Sequence, residues 1–470
     1  MNKITALFSC FFLFVAPEII AQDTKPLKFT VEEAPEWSAM FTRDSGWFGG
    51  DGIFSIPLDG VEANISSKVK KTTAARTLFV FSDSMIGELK DGKLQPGSKM
   101  IHNATALLTG TEPVAENMQF FWKNMRSGAA ETIFEPKTPK TGPADYYWLG
   151  DGFVNQELDN AIFIFGYRVK QVGDGAFGFE EVGNTLIKIE AGLDQPFVSY
   201  QQKDTPFYFS KDDPRSAVIR KTPLAAVADA AKKEASGLQG EDLALEKDGV
   251  AQKKDGAVQE GGKMGQKNEK LVAKNEDLLL KKEAVAPKPE SGSFGAGILV
   301  NTKKAGAVKG DKYIYVYGVK GPDKKLLVAR VLPKDFENYT KWMFWDGIKW
   351  NPDMYSSAAV TDGVSNELSV SALPNGKYAL IFQEGGLSRY IAMRIGRSPT
   401  GPFGPPIRLW DCSAALTGKS YFPYNAKAHP SLSKEGELLI SYNINSFEFF
   451  KDLENDPQLY RPRFIRVKFE

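Results

Sequence analysis

Carboxylates and histidines stand in this chain where strands meet turns, and these are the side chains that move protons. Asp51 sits in Gly50-Asp51-Gly52, Asp83 follows the apolar run Leu78-Phe79-Val80-Phe81, Asp151 repeats the first arrangement in Gly150-Asp151-Gly152, and Glu367 opens the run Leu368-Ser369-Val370. Two carboxyl groups held near each other can divide acid and base work: one keeps its proton while the other stays charged. Trp47, Phe48 and Trp148 lie beside the Gly-Asp-Gly turns. Their rings would raise a nearby carboxyl's pKa by excluding water, and would offer a flat apolar floor to a ligand.

Each of these residues has a plainer reading. An aspartate between glycines commonly bonds its own turn. The recurrence of Asp51 at Asp151 fits a third acid that tunes the pair, but it favours a requirement of the repeated unit. Glu367 reads as a site acid or a capped strand start. His429, held extended before Pro430, reads as a ligand-binding or a backbone-bonded residue, and His102 reads as structural. Arg461 and Arg463 read as supports of the chain's closing segment.

Other chemistries find no footing. The chain has 2 His and 2 Cys, too few for a zinc cluster at ligand spacing. There is no Gly-x-Ser-x-Gly elbow, phosphate-cradling loop or twelve-residue calcium loop. No cofactor is called for, although aspartates and carbonyls could still hold calcium.

The elements that must position these groups are strands. Leu78 to Asp83, Ile162 to Gly166, Ile314 to Gly318, Ala379 to Gln383 and Leu439 to Asn443 each alternate bulky apolar residues and then turn. A β-rich unit repeated from end to end is the mark of a radial array, so the chain is expected to be all-β, a five-bladed β-propeller. Such a ring gathers distant residues at one central depression. Blades one and two are expected within 23–223, and blades three to five with the ring closure within 293–470. Between them, 224–292 is a polyampholyte without a single aromatic residue and is expected to be a disordered charged insertion.

Residues 1–22 carry Lys3, an apolar run from Leu7 to Ala16 and a small-residue exit at Ala21, the layout of a secretory signal peptide. The run is too short for a transmembrane span. Export would leave Cys412 alone in the mature chain. A lipoprotein box at Leu7 to Cys10 is the lesser alternative. The formal net charge of +1 gives no general attraction to nucleic acid. Sequence does not set the oligomeric state.

Gly49-Gly50-Asp51-Gly52, Phe81-Ser82-Asp83-Ser84, Ser398-Pro399-Thr400-Gly401-Pro402-Phe403, Lys427-Ala428-His429-Pro430-Ser431 and Tyr460-Arg461-Pro462-Arg463-Phe464 carry a resemblance across most of the chain. It resembles bacterial secreted propellers of uncharacterised function that border the endo-D-arabinanase glycoside hydrolases and, more distantly, the five-bladed arabinanase and xylosidase propellers. The resemblance implies a secreted or periplasmic hydrolase of a polysaccharide or oligosaccharide, with an arabinan-type furanoside polymer as substrate. It implies Asp51 and Asp83 as the catalytic pair; read from their own types and positions, Trp47, Trp148, Asp151, Glu367 and His429 are the candidates to contact the sugar. Ser82 stands where those relatives commonly carry glycine, and 64–76 reads as an added loop. The alternative is a carbohydrate-binding or scaffold propeller without turnover.

Overall fold

The protein is described by a computed structural model over residues 27–62, 75–173, 178–217, 220–221 and 288–470. The expected signal peptide and nearly all of the expected insertion lie outside those residues. The chain enters through β1 (Phe29–Glu33) and the short helix α1 (Pro35–Ala39). Next come β2 (Ser45–Gly50) and β3 (Phe54–Pro57), with Asp51 in the break between them. β4 (Arg76–Phe81) and β5 (Ser84–Lys90) repeat that layout, with Ser82 and Asp83 in their own break. β6 (Lys93–Leu94), β7 (Lys99–Ile101), β8 (Ala104–Thr109) and β9 (Met118–Phe121) follow.

β10 (Tyr146–Asn155), β11 (Ala161–Gln171), β12 (Phe179–Ile189) and β13 (Gln201–Asp204) make a sheet in chain order. After β14 (Tyr208–Phe209) and β15 (Arg220–Lys221) come β16 (Gly292–Asn301), β17 (Tyr313–Lys320), β18 (Lys325–Val331), β19 (Met343–Trp345) and β20 (Trp350–Asn351). These five strands form a sheet with β14 at its edge, while β15 pairs with β21 (Ala358–Ala359). β22 (Leu368–Ala372), β23 (Tyr378–Gln383), β24 (Tyr390–Gly396) and β25 (Ile407–Asp411) make the next sheet. β26 (Tyr421–Ala428), β27 (Glu437–Ser446) and β28 (Arg463–Phe469) make the last, which takes β1 as its outer strand with Val31 opposite Val467. β3, β4, β8 and β9 form the first sheet, and β2 pairs with β5 beside it.

Alternation dictates how these sheets pack. Successive strand residues point to opposite faces, and here both faces are apolar because each sheet lies between two others. In β4, Leu78 and Val80 pack with Ile162 and Ile164 of β11, while Phe79 and Phe81 pack with Leu439 and Phe464 of the last sheet. In β11, Phe163 and Phe165 turn the other way, to Ile314 and Val316 of β17, whose Tyr315 and Tyr317 in turn meet Leu380 and Phe382 of β23. Ala379 and Ile381 of β23 then meet Leu438 and Ile440 of β27. Every interface is a layer of large side chains, each worth roughly 1.5–3 kcal/mol on burial.

The first strands of the sheets, β3, β10, β16, β22 and β26, touch in that order, and β3 meets the Pro430–Leu432 turn after β26. This is the architecture of a β-propeller. Near the hub the inner strands are interrupted: the pairing slips between Leu149 and Gly152, between Phe294 and Gly297, and between Tyr424 and Lys427. Such bulges re-aim side chains, and they leave Asp151, Ala296 and Asn425 as the re-aimed residues. Asp51 occupies the corresponding break in the first sheet.

Candidate active site

A cleft of about 2460 Å³ opens at the hub, and Asp51, Asp83, Trp148 and Glu367 all line it. Asp51 and Asp83 meet backbone to backbone across the two strand breaks: the Asp51 N–H donates to the Asp83 carbonyl at 3.1 Å, and the Ser82 N–H donates to the Asp51 carbonyl at 2.8 Å. The turn needs its glycines. Gly52 has φ +62° and a Cβ there would lie 2.6 Å from the Ser82 hydroxyl, while a Cβ on Gly49 would lie 2.9 Å from the Tyr460 carbonyl.

Asp51 is strongly perturbed. Burial, reinforced by the negative charges of Asp83 and Glu367, raises its pKa from 3.8 to about 8, against hydrogen bonds from Tyr424 and Tyr460. The Tyr424 hydroxyl donates to Oδ2 at 2.6 Å, while Oδ1 is buried without a partner. A carboxyl in this state holds a proton near neutral pH and can donate it.

Glu367 faces the same cleft from the start of β22. Asn425 Nδ2 donates to Oε1 at 2.9 Å, and the buried Lys427 ammonium lies 2.5 Å from Oε2. Desolvation raises the Glu367 pKa and Lys427 opposes that rise. Asp83 pairs with His102, Nδ1 to Oδ1 at 3.0 Å, and the His102 ring stacks on Tyr146 with centroids 3.8 Å apart. His102, read from sequence as structural, is therefore a cleft residue in contact with a candidate acid.

Three sequence expectations are corrected. Trp47 is 1% exposed and stacks on Phe120 in the core, so it offers no face to a ligand. His429 is also 1% exposed, with Nδ1 at 2.8 Å from the Ser55 hydroxyl and Nε2 at 2.7 Å from that of Ser441. It pins β26 to its neighbours rather than touching a ligand. Asp151 spends both oxygens on backbone, accepting from Gly152 N–H at 2.8 Å and Ile298 N–H at 2.7 Å, and it stands outside the cleft lining. It joins the second and third sheets.

Burial lowers the His429 pKa from 6.5 to about 3, so the folded protein keeps it neutral. The associated stability is complete above the unfolded value and is lost as pH falls from 6.5 toward 3. His429→Gln is expected to flatten the acid side of a thermal-denaturation profile over that window. It is expected to leave the near-neutral profile lower by about 1–2 kcal/mol, through imperfect replacement of two buried hydrogen bonds.

Sequence reading missed Tyr424, Asn425, Lys427 and Tyr460, which arrange the acids. Lys427 and Tyr460 nevertheless lie inside motifs already singled out around His429 and Arg461. Among the described residues no group of three or more His, Cys, Asp or Glu is placed to hold a metal ion, and no helix is long and apolar enough to cross a membrane.

Among solved structures, a "putative hydrolase" from Bacteroides ovatus is 16% identical with a TM-score of 0.59. The alignment covers 93% of this chain and 90% of that one, a likeness of fold. The exo-beta-1,3-galactanase of Phanerochaete chrysosporium is 8% identical with a TM-score of 0.38, covering 90% of this chain and 62% of that chain. The GH43 BlXynB protein of Bacillus licheniformis is 10% identical with a TM-score of 0.33, covering 88% and 51%. The matched region therefore spans about half to three-fifths of those two proteins. No curated protein matches the chain. A family model described as a domain of unknown function matches residues 35–211 and 253–469, from α1 to the closing strand, and the chain belongs to that family, DUF5005.

Proposed function

We propose that the protein is a secreted five-bladed β-propeller that hydrolyses a polysaccharide, with an arabinan-type furanoside polymer as substrate. Asp51 is the proton donor to the departing oxygen and Asp83 the nucleophile or base, while Glu367 adds negative charge that keeps Asp51 protonated. Glycoside cleavage needs one carboxyl that holds its proton and one that does not. The observation that carries the reading is the raised pKa of Asp51 beside Asp83 in a cleft walled by Tyr146, Trp148 and Tyr424. The export signal in residues 1–22 supports an extracellular or periplasmic substrate.

The test is incubation with linear arabinan, debranched arabinan and xylan, followed by an assay for new reducing ends. Asp83→Asn is expected to fold as the parent does and to lose turnover by about 10³-fold. Wild-type rates in that variant would remove Asp83 from the chemistry.

A binding propeller without turnover is the second reading. It is favoured by the bonds Asp51 and Glu367 already make to Tyr424, Asn425 and Lys427. Thermal protection by a glycan with no reducing ends after long incubation would establish it over the first.

A further inference from the structure

The sheet β10–β13 turns one face to the cleft, starting beside Asp83, whose partner His102 stacks on Tyr146, and that face is built like a site. Trp148 is opposite Tyr167, Tyr146 is opposite Val169, Val169 is opposite Glu181 and Gln171 is opposite Phe179. Residues directly opposite each other in an antiparallel pair share a face, and all seven line the cleft. The Trp148 and Phe179 rings meet edge to face at 4.4 Å.

Two polar atoms on this face lack protein partners. Trp148 Nε1 and Glu181 Oε1 are both buried with no hydrogen bond. A buried donor or acceptor left unpaired costs about 1–3 kcal/mol, so a face that keeps one of each is incomplete without a ligand. Ser293 hydrogen-bonds the Glu181 side chain, and desolvation still raises its pKa from 4.5 to about 7. Tyr167 connects this face to the hub, because its phenol is held neutral by burial and by the charges of Glu181, Glu367 and Asp151 together.

We propose that this face is a second sugar subsite: Trp148 stacks on a sugar ring, and the Trp148 indole N–H and the Glu181 carboxyl bond its hydroxyls. An apolar ring face edged by hydroxyls matches an aromatic floor with one donor and one acceptor at its rim. The inference rests on the carbohydrate reading of the hub and deepens it. With one sugar at Asp51 and another at Trp148, the protein grips an oligosaccharide rather than a single terminal residue.

The test uses the full chain carrying Asp51→Asn, so that ligand survives, and titrates arabinose and linear arabino-oligosaccharides of two to six units calorimetrically, with xylo-oligosaccharides alongside. Affinity is expected to rise with length and level off. Adding Trp148→Ala or Glu181→Gln is expected to remove roughly 10-fold of that gain from the longer ligands while weakening arabinose far less, and Trp148→Phe to restore most of it. A length dependence that survives both substitutions, or an equal loss at every length, overturns the second subsite and leaves the hub reading standing. Binding that depends on Trp148 and Glu181, in a parent protein that releases no reducing ends, upholds the subsite and defeats the hydrolase. Absence of binding by every oligosaccharide overturns both.

Discussion

Asp51→Asn is expected to abolish polysaccharide cleavage, by about 10³-fold or more, and at the same time to make the protein more stable. The folded pKa of Asp51 is raised from 3.8 to about 8. A carboxyl raised in this way contributes its full stability below the unfolded value and loses it as pH climbs through the folded one. At neutral pH the unfolded chain gains free energy by ionising Asp51, a gain on the order of a few kcal/mol that the folded state forgoes. Asparagine keeps the Tyr424 hydroxyl in hydrogen-bond reach and has no proton to lose. Melting temperatures across pH 4 to 9 should diverge, with the variant above the parent and the gap growing from pH 4 and levelling off above about pH 8. Coincident curves would mean that Asp51 is ionised in the folded protein, and its role as proton donor would fall with that.

The second large effect concerns Lys427. Its ammonium is buried, 2.5 Å from Glu367 and 4.5 Å from the Phe54 ring centroid. Removing one partner of such a pair strands the other charge, typically at about 3–5 kcal/mol, whereas replacing both by neutral groups is often harmless. Lys427→Met is therefore expected to lower stability by about 3–5 kcal/mol in urea unfolding at pH 7. The double variant Lys427→Met with Glu367→Gln should recover most of it, and additive losses would show that the pair contributes no coupling. The single variant should also regain stability on acidification, because protonation of Glu367 removes the stranded charge.

The architecture was legible because both sets of alternating residues are apolar, as in Ile162 to Phe165 or Ile314 to Tyr317, and only a strand packed on two sides requires that. Site residues were legible where a polar group interrupts such a run: Asp51, Asp83 and Glu367 all reach the cleft. Trp47 and Trp148 show where the reading fails. Both precede a Gly-Asp-Gly turn, but Trp148 lies three residues before its aspartate and Trp47 four. A shift of one residue turns a side chain to the opposite face of a strand, and the β2–β5 pairing slips just after Trp47. Trp47 thus joins the core with Phe81 and Phe120 while Trp148 faces the cleft. Asp151 fails for another reason. Ile298, which consumes one of its oxygens, comes from a sheet 147 positions away in sequence, and no local pattern announces that donor.

One short stretch of β26 governs both acids at the hub. Tyr424 bonds Asp51, while Asn425, in left-handed conformation at φ 61°, and Lys427 hold Glu367. A displacement of this single loop of chain would alter the two proton affinities together, so the optimum pH cannot be retuned there one group at a time. Engineering that seeks to move one acid alone must work from its own strand, through the neighbours of Asp51 in the first sheet or of Glu367 ahead of β22.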